Sequence, residues 1–114
     1  MAKSVTIYHN PKCTTSCNVL AIIEESGAKP TVVEYLKAGW TKPQLKELFA
    51  AAGLTPREAM RKKAAEDIGI SEKATAAQIL DAMIEHPVLV ERPFVVSAKG
   101  TVLARPKEKV RDIL

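Results

Sequence analysis

The stretch VTIYHNPKCTTSCNVLAII, residues 5–23, decides the fold. Residues 5–8 alternate in the pattern typical of a half-buried strand. Residues 19–23 are apolar and belong to a pattern with helical spacing. Cys13 therefore lies where a strand ends and a helix begins.

A thiol at the start of a helix has distinctive chemistry. The first helical turn leaves backbone N–H groups unpaired and carries the positive end of the helix dipole. Such a place binds anions and lowers the pKa of a thiol, which favours the thiolate nucleophile. The alternative for Cys13 is a small buried hydrophobic side chain, as most free cysteines are. The hydroxyl residues Thr14, Thr15 and Ser16 favour the nucleophile, and the two threonines are candidate substrate-binding residues.

The segments after this stretch predict alternating strands and helices. Ser26-Gly27 ends the first helix, and residues 30–36 predict a second strand, parallel to the first through a right-handed crossover. Three helices follow, each opened by a threonine with the signature of a helix start. They are predicted from Thr41 to Gly53, from Thr55 toward Lys63, and from Thr75 to His86.

Two further strands are predicted near the end of the chain. Residues 93–96 and 101–104 flank a turn signal at 98–100, which makes them a hairpin. A last helix follows Pro106. The order predicts one domain over residues 1–114, of class α/β, with a four-stranded mixed sheet, flanking helices and a helical insertion between strands 2 and 3.

The composition excludes several classes of protein. The chain has 114 residues, two cysteines and a net charge of +4. No run is long enough to span a membrane, and the N-terminus lacks a secretory pattern, so we expect a cytoplasmic protein. Basic residues are spread along the chain, which argues against nucleic acid and fits a small anion. The cysteines, taken with His9 and His86, match no zinc pattern, so we expect no metal site.

Three neighbours of Cys13 leave alternatives open. Ser16 gives Cys13-x-x-Ser16 the spacing of a dithiol motif with one sulfur replaced by oxygen, which favours one-thiol chemistry. His9 can stabilise the thiolate or orient the loop, or can be satisfied by backbone at the strand end. Cys17 lies one helical turn beyond Cys13, where it is either a resolving thiol or a packed side chain.

Arginines supply the second half of a predicted anion site. Arg92 comes just before the first hairpin strand, and Arg105 follows the second. These ends lie side by side in a hairpin, so the two guanidiniums can form a fork for a tetrahedral oxyanion. Surface ion pairing is the alternative for each. Arg61 lies in a basic run, residues 61–63, which by itself would be a solvated charge cluster.

At these residues the sequence resembles the arsenate reductase family of the glutaredoxin-dependent type, which has a thioredoxin-like fold. The matching motifs span nearly the whole chain in order, so the resemblance is far more specific than one motif. They are residues 7–16 around Cys13, residues 61–62, residues 86–87, residues 92–96, residues 105–108 and residues 112–114.

The resemblance implies a mechanism. Cys13 is the nucleophile, with His9 and Ser16 supporting its thiolate. Three guanidiniums hold the oxyanion and later the reduced arsenic, those of Arg61, Arg92 and Arg105. Glutathione acts as co-substrate, glutaredoxin removes the glutathione, and no metal or bound cofactor takes part. The resemblance also implies a role in arsenical resistance and a cis bond before Pro93.

One departure from the family leaves the electron donor open. The family usually has Arg directly after the Thr-Ser pair, where this chain has Cys17, so Cys17 could resolve the adduct and thioredoxin could be the reductant. Two rival functions are a redox-responsive regulator of the Spx type that binds RNA polymerase, and a general thiol–disulfide oxidoreductase. The three arginines favour the reductase over the regulator. We expect a monomer, because nothing in the sequence marks an oligomer interface.

Overall fold

The computed structural model describes residues 4–114, and these include a four-stranded sheet. The strands are β1 (Ser4–Tyr8), β2 (Lys29–Val33), β3 (Phe94–Ser97) and β4 (Gly100–Leu103). Their order is β2-β1-β3-β4. Strand β1 pairs parallel with β2 and antiparallel with β3, and β3 pairs antiparallel with β4. The predicted mixed sheet and its hairpin are confirmed.

The contacts of the chain separate it into two compact units. The first unit comprises the segments up to Ala38 and from Arg92 onward, and the second is Gly39–Glu91. Besides the sheet, the first unit holds α1 (Thr14–Glu25), α2 (Tyr35–Ala38) and a C-terminal 3-10 helix, Lys107–Ile113. The second unit is the predicted helical insertion, with α3 (Lys42–Ala52), α4 (Lys62–Ile68), α5 (Ala76–Glu85) and a short 3-10 helix, Pro87–Leu89. The single domain over residues 1–114 stays a prediction.

The core of the first unit fixes the orientation of α1. This helix packs against β2 and against the C-terminal 3-10 helix. Its buried apolar residues Val19, Ile22 and Ile23 repeat at helical spacing and join the core with Ile7 and Val95. Burial of this stripe determines which side of α1 faces inward. It therefore also determines where the first turn of α1 points.

Two elements of the first unit differ from the prediction. The strand predicted over residues 30–36 is wrong at its end, because β2 stops at Val33 and Tyr35 begins α2. Val33 already pairs with Tyr8, the last residue of β1, so a longer β2 would have no partner there. The last helix is a 3-10 helix, in which the amide of Lys109 donates to Pro106 O at 3.1 Å.

The helix starts of the second unit are largely as predicted. Thr41 and Thr75 each form a complete capping box with the glutamine three residues later. The threonine side chain accepts from the backbone N–H of the glutamine, and the glutamine side chain accepts from the backbone N–H of the threonine. Helix α3 is followed by its C-cap residue Gly53, whose φ of +71° lies in the left-handed region that favours glycine. These caps satisfy backbone groups that the helix ends would otherwise leave without partners.

The helix predicted from Thr55 is wrong. Thr55 and Glu58 do exchange the two capping hydrogen bonds, at 3.0 and 3.2 Å. Residues 56–59 nevertheless form a turn, and α4 begins only at Lys62. The reason is a long-range pairing, because Met60 forms an antiparallel bridge with Val90 and so adopts extended backbone.

No helix within residues 4–114 is long and apolar enough to cross a membrane.

Replacing the cap of α3, Thr41→Ala, should lower the free energy of unfolding by about 1 kcal/mol, because the amide of Gln44 loses its acceptor. Urea denaturation followed by circular dichroism measures the change. The control is Lys46→Ala in the exposed middle of the same helix, which should change the stability by less than about 0.5 kcal/mol. Equal effects of the two substitutions would show that the cap contributes nothing.

Candidate active site

Cys13 occupies the N-cap position of α1. Its backbone is extended, with φ −97° and ψ 119°, and its side chain is 7% exposed. The amide of Cys13 donates to Asn10 O at 3.0 Å, and its carbonyl accepts from the amide of Cys17 at 3.0 Å. The loop from β1 therefore closes on itself immediately before the helix begins. The predicted strand-to-helix position of Cys13 is confirmed.

Two opposing effects act on the pKa of the Cys13 thiol. Burial raises the pKa, because a thiolate loses hydration in the interior. The Cys13 side chain makes no cap hydrogen bond to the helix. The backbone N–H of Ser16, the guanidinium of Arg92 and the backbone N–H of Thr15 nevertheless lower the pKa by stabilising the thiolate, and the charge of Arg92 adds to this effect. Together these partners prevail, so the pKa of Cys13 lies below its ordinary value. The thiolate fraction at neutral pH is correspondingly larger.

A buried hydrogen-bond network holds the loop beneath Cys13. Ser16 Oγ lies 2.6 Å from Nδ1 of His9, and it accepts from the amide of Asn10 at 3.1 Å. His9, Asn10 and Ser16 are each no more than 8% exposed. The Asn10 side chain closes the turn by accepting from the amide of Lys12 at 3.0 Å. Ser16 thus ties the first turn of α1 to the end of β1.

His9 contacts Ser16 within this network. The amide of His9 also donates to Val33 O at 2.8 Å, which continues the pairing of β1 with β2. Burial lowers the pKa of the imidazole below its ordinary value, while the nearby Glu34 carboxylate opposes the effect. A neutral His9 can therefore accept from or donate to the Ser16 hydroxyl. The contact joins His9 to the first turn of α1, and its roles in orienting the loop or stabilising the thiolate stay predictions.

The hairpin brings Arg92 and Arg105 together. Nη1 of Arg105 donates to the carbonyl oxygen of Arg92 at 3.1 Å, and the amide of Ala104 donates to Pro93 O at 2.9 Å. The peptide bonds before Pro93 and Pro106 are both cis. The guanidinium of Arg92 is also one of the groups that lower the pKa of the Cys13 thiol, through its charge and as a hydrogen-bond donor to the thiolate. The predicted proximity of the two arginines is confirmed.

The other candidate residues lie in different surroundings. Thr15 contributes its amide to the Cys13 site, whereas the Thr14 side chain is exposed. Cys17 is an exposed free thiol whose Sγ donates to Pro11 O at 3.3 Å. Arg61 belongs to the second unit, where its amide donates to Leu89 O at 2.8 Å and α4 follows it. Its predicted role in oxyanion binding stays a prediction.

Sequence reasoning missed the structural part played by Asn10. Its carbonyl and its side chain form hydrogen bonds within the loop that ends at Cys13, and its amide donates to Ser16 Oγ on α1. The signal was present as the dipeptide Asn10-Pro11, since asparagine before proline favours turn initiation. Reasoning from the sequence also assigned no role to Lys107, which lines a cleft together with Thr15.

Within residues 4–114, no group of three or more His, Cys, Asp or Glu side chains is placed to hold a metal ion.

Comparison with known proteins identifies the group that this chain resembles. The sequence model of the ArsC family matches residues 8–113. The chain is 58% identical over 113 residues to arsenate reductase ArsI2 of Synechocystis sp., covering 96% of this chain and 81% of that protein. It is 51% identical over 114 residues to arsenate reductase of Rhizobium meliloti, covering 97% and 81% respectively. The solved structure of arsenate reductase from Vibrio cholerae matches with a TM-score of 0.93 at 38% identity, covering 100% of each chain. The predicted thioredoxin-like α/β fold is confirmed.

The substitution Arg92→Ala should raise the pKa of the Cys13 thiol, because the thiolate loses a cation and a hydrogen-bond donor. The ultraviolet absorbance of the thiolate as a function of pH, recorded in a Cys17→Ser background, measures the change. Arg111→Ala is the matched control, since Arg111 is exposed and is not among the groups that shift the pKa of Cys13. A titration curve that Arg92→Ala leaves unmoved would contradict the role of this arginine.

The substitution Ser16→Ala should lower the free energy of unfolding by about 1–3 kcal/mol, because buried groups of His9 and Asn10 lose their partner. It should also raise the pKa of Cys13, because the loop is no longer tied to the first turn of α1. Chemical denaturation and the thiolate titration measure the two effects. Ser26→Ala is the control, because it removes a 2.6 Å hydroxyl bond to Ile23 O at the other end of α1. If both variants titrated alike, Ser16 would have no role in positioning the thiol.

Proposed function

This chain belongs to the ArsC family, and we propose that it is an arsenate reductase with Cys13 as its nucleophile. The observation that carries the proposal is the Cys13 thiol with a lowered pKa, held between the first amides of α1 and the Arg92 guanidinium. Family membership supplies the substrate, because the matched relatives of Synechocystis and Rhizobium meliloti are named arsenate reductases. The site supplies the chemistry that such a reaction requires.

The charges around Cys13 suit a tetrahedral oxyanion. Arg92 and Arg105 present two guanidiniums at one end of the hairpin, and guanidiniums bind oxyanions through paired hydrogen bonds. The side chain of Thr15 is a further candidate donor on the first turn of α1. Phosphate has the shape and charge of arsenate but is not reduced by thiols, so it should compete without turnover. The part assigned to Arg61 rests on the family resemblance.

The first chemical step is attack of the Cys13 thiolate on arsenic. A sulfur–arsenic bond forms while an arsenic–oxygen bond breaks, and the oxygen leaves as hydroxide that takes a proton from solvent. Arsenic remains pentavalent in this adduct. The nearby arginines offset the negative charge of both the arsenate and the adduct.

The second step transfers the electrons. The thiolate of glutathione attacks the Cys13 sulfur, and the sulfur–arsenic bond breaks with its electron pair left on arsenic. Arsenic becomes trivalent and leaves as arsenite, while the two sulfurs are oxidised to a mixed disulfide. A glutaredoxin thiolate then attacks the glutathione sulfur and releases Cys13. Support for an external thiol comes from Cys17, whose exposed Sγ contacts Pro11 O while the Cys13 thiol faces the amides of α1.

The proposed reaction and the location of the site residues also indicate the cellular compartment and the oligomeric state of the protein. Each turnover consumes thiol, which fits a reducing cytoplasm better than an oxidising compartment. The site residues Cys13, Arg92 and Arg105 all belong to one unit of one chain, so their arrangement requires no second copy. We therefore extend the proposal to a monomer in the cytoplasm.

Arsenate-dependent NADPH oxidation tests the proposal in two coupled assays. One contains glutathione, glutaredoxin and glutathione reductase, and the other contains thioredoxin and thioredoxin reductase. The expected result is turnover in the first assay, no turnover after Cys13→Ser, and nearly unchanged turnover after Cys17→Ser. Removal of the nucleophile eliminates the step that forms the adduct, whereas Cys17 takes no part in it.

The same assays separate the proposal from its rivals. Turnover with thioredoxin that disappears in Cys17→Ser would make Cys17 the resolving thiol. The absence of arsenate-dependent NADPH oxidation in both assays would refute arsenate reduction. Reduction of a glutathione mixed disulfide without dependence on Arg92 or Arg105 would instead favour a general oxidoreductase, and oxidant-dependent capture of RNA polymerase would favour a regulator.

A further inference from the structure

We propose that a cleft beside Cys13 binds the reducing co-substrate, a small thiol that carries two carboxylates and one ammonium group. Glutathione has this chemistry. The inference rests on the proposed function, because only a thiol-dependent reduction requires such a molecule. It adds the place where the thiol binds and the residues that recognise its charges.

The cleft lies entirely within the first unit. Its volume is about 310 Å³, and it is lined by Thr15, Arg105, Pro106, Lys107 and Glu108. Small-molecule sites begin at about this size, so the cleft admits a molecule on the scale of a short peptide and not a folded protein. Thr15 opens it on the side of α1, and the segment after β4 forms the other wall.

Two lining residues connect the cleft to the nucleophile. The amide of Thr15 is one of the groups that lower the pKa of Cys13. Arg105 donates to the backbone of Arg92, and the Arg92 side chain contacts the Cys13 thiol. A ligand in the cleft therefore lies against two residues that are linked to Cys13, Thr15 and Arg105. The proposal places its sulfur within reach of the Cys13 sulfur, as the second chemical step requires.

The charges of the cleft select among ligands. Arg105 and Lys107 are cations and Glu108 is an anion, and all three side chains are exposed to incoming solute. The cleft shares Arg105 and Thr15 with the proposed oxyanion site, and Glu108 sets it apart, because a carboxylate repels a simple oxyanion. Two cations and one carboxylate instead complement two carboxylates and one ammonium group. The α-ammonium of a γ-glutamyl group is the natural partner of Glu108.

Thiol exchange tests the assignment without arsenate. In Cys17→Ser protein, the Cys13 thiolate attacks glutathione disulfide, forms the mixed disulfide and releases one glutathione thiolate. The rate is compared with that for the uncharged disulfide of 2-mercaptoethanol, which reacts with Cys13 by the same chemistry. The ratio of the two rates isolates recognition, because a change in the reactivity of Cys13 affects both reactions.

The charge-reversed variant Lys107→Glu should lower this ratio about fivefold, since an attraction becomes a repulsion. The matched control Lys109→Glu carries the same change in charge on an exposed residue outside the cleft, and should alter the ratio less than about twofold. An unchanged ratio in Lys107→Glu, or an equal fall in both variants, would overturn the proposal.

The variant Glu108→Gln gives the sharper result, because two models predict opposite signs. If Glu108 binds the ammonium group, the rate ratio falls. If the cleft merely attracts anions, removal of the carboxylate raises the ratio, and the assignment of a thiol with an ammonium group is wrong. Because exchange requires no arsenate, failure here is distinguishable from failure of arsenate reduction in the coupled assays.

Discussion

The interaction on which the site depends is the stabilisation of the Cys13 thiolate by the amides of the first turn of α1 and by Arg92. Burial alone would keep the thiol protonated and inert. The amides of Thr15 and Ser16, together with Arg92, reverse that outcome. Only the first amides of a helix lack partners within the helix, so the effect depends on the position of Cys13 at the start of α1.

The position of that helix start is held by several independent contacts. The stripe of Val19, Ile22 and Ile23 buries one face of α1 in the core, which fixes its rotation. Ser16 ties its first turn to His9 and Asn10 at the end of β1. The hairpin then adds Arg92 from a distant part of the chain, because β3 pairs directly with β1. The reactive thiol is thus positioned by the sheet, by the core and by a small polar network at once.

Sequence reasoning succeeded where local signals and tertiary structure agree. The change from strand to helix at Cys13, the threonine caps of α3 and α5, and the hairpin that joins Arg92 to Arg105 were all predictable. It failed where distant pairing decides the outcome. The capping bonds of Thr55 form, but the bridge between Met60 and Val90 prevents a helix there.

Other parts of the site had no local signature. The network of His9, Asn10 and Ser16 requires an imidazole just after β1 to meet a hydroxyl on α1, seven residues apart in sequence. The cleft lined by Lys107 and Glu108 exists because the segment after β4 passes beside Thr15. Arg61 had a motif match but no geometric argument. Nothing in the composition of residues 61–63 distinguishes a ligand from a solvated charge.

The central claim is that the surroundings of Cys13 favour its thiolate in spite of burial. The most direct measurement is the rate of alkylation of Cys17→Ser protein by iodoacetamide as a function of pH, because Cys13 is then the sole thiol. The midpoint should lie clearly below the ordinary pKa of a cysteine, and inorganic phosphate should slow the reaction by occupying the oxyanion site. A midpoint at or above the ordinary value, with no protection by phosphate, would contradict the claim.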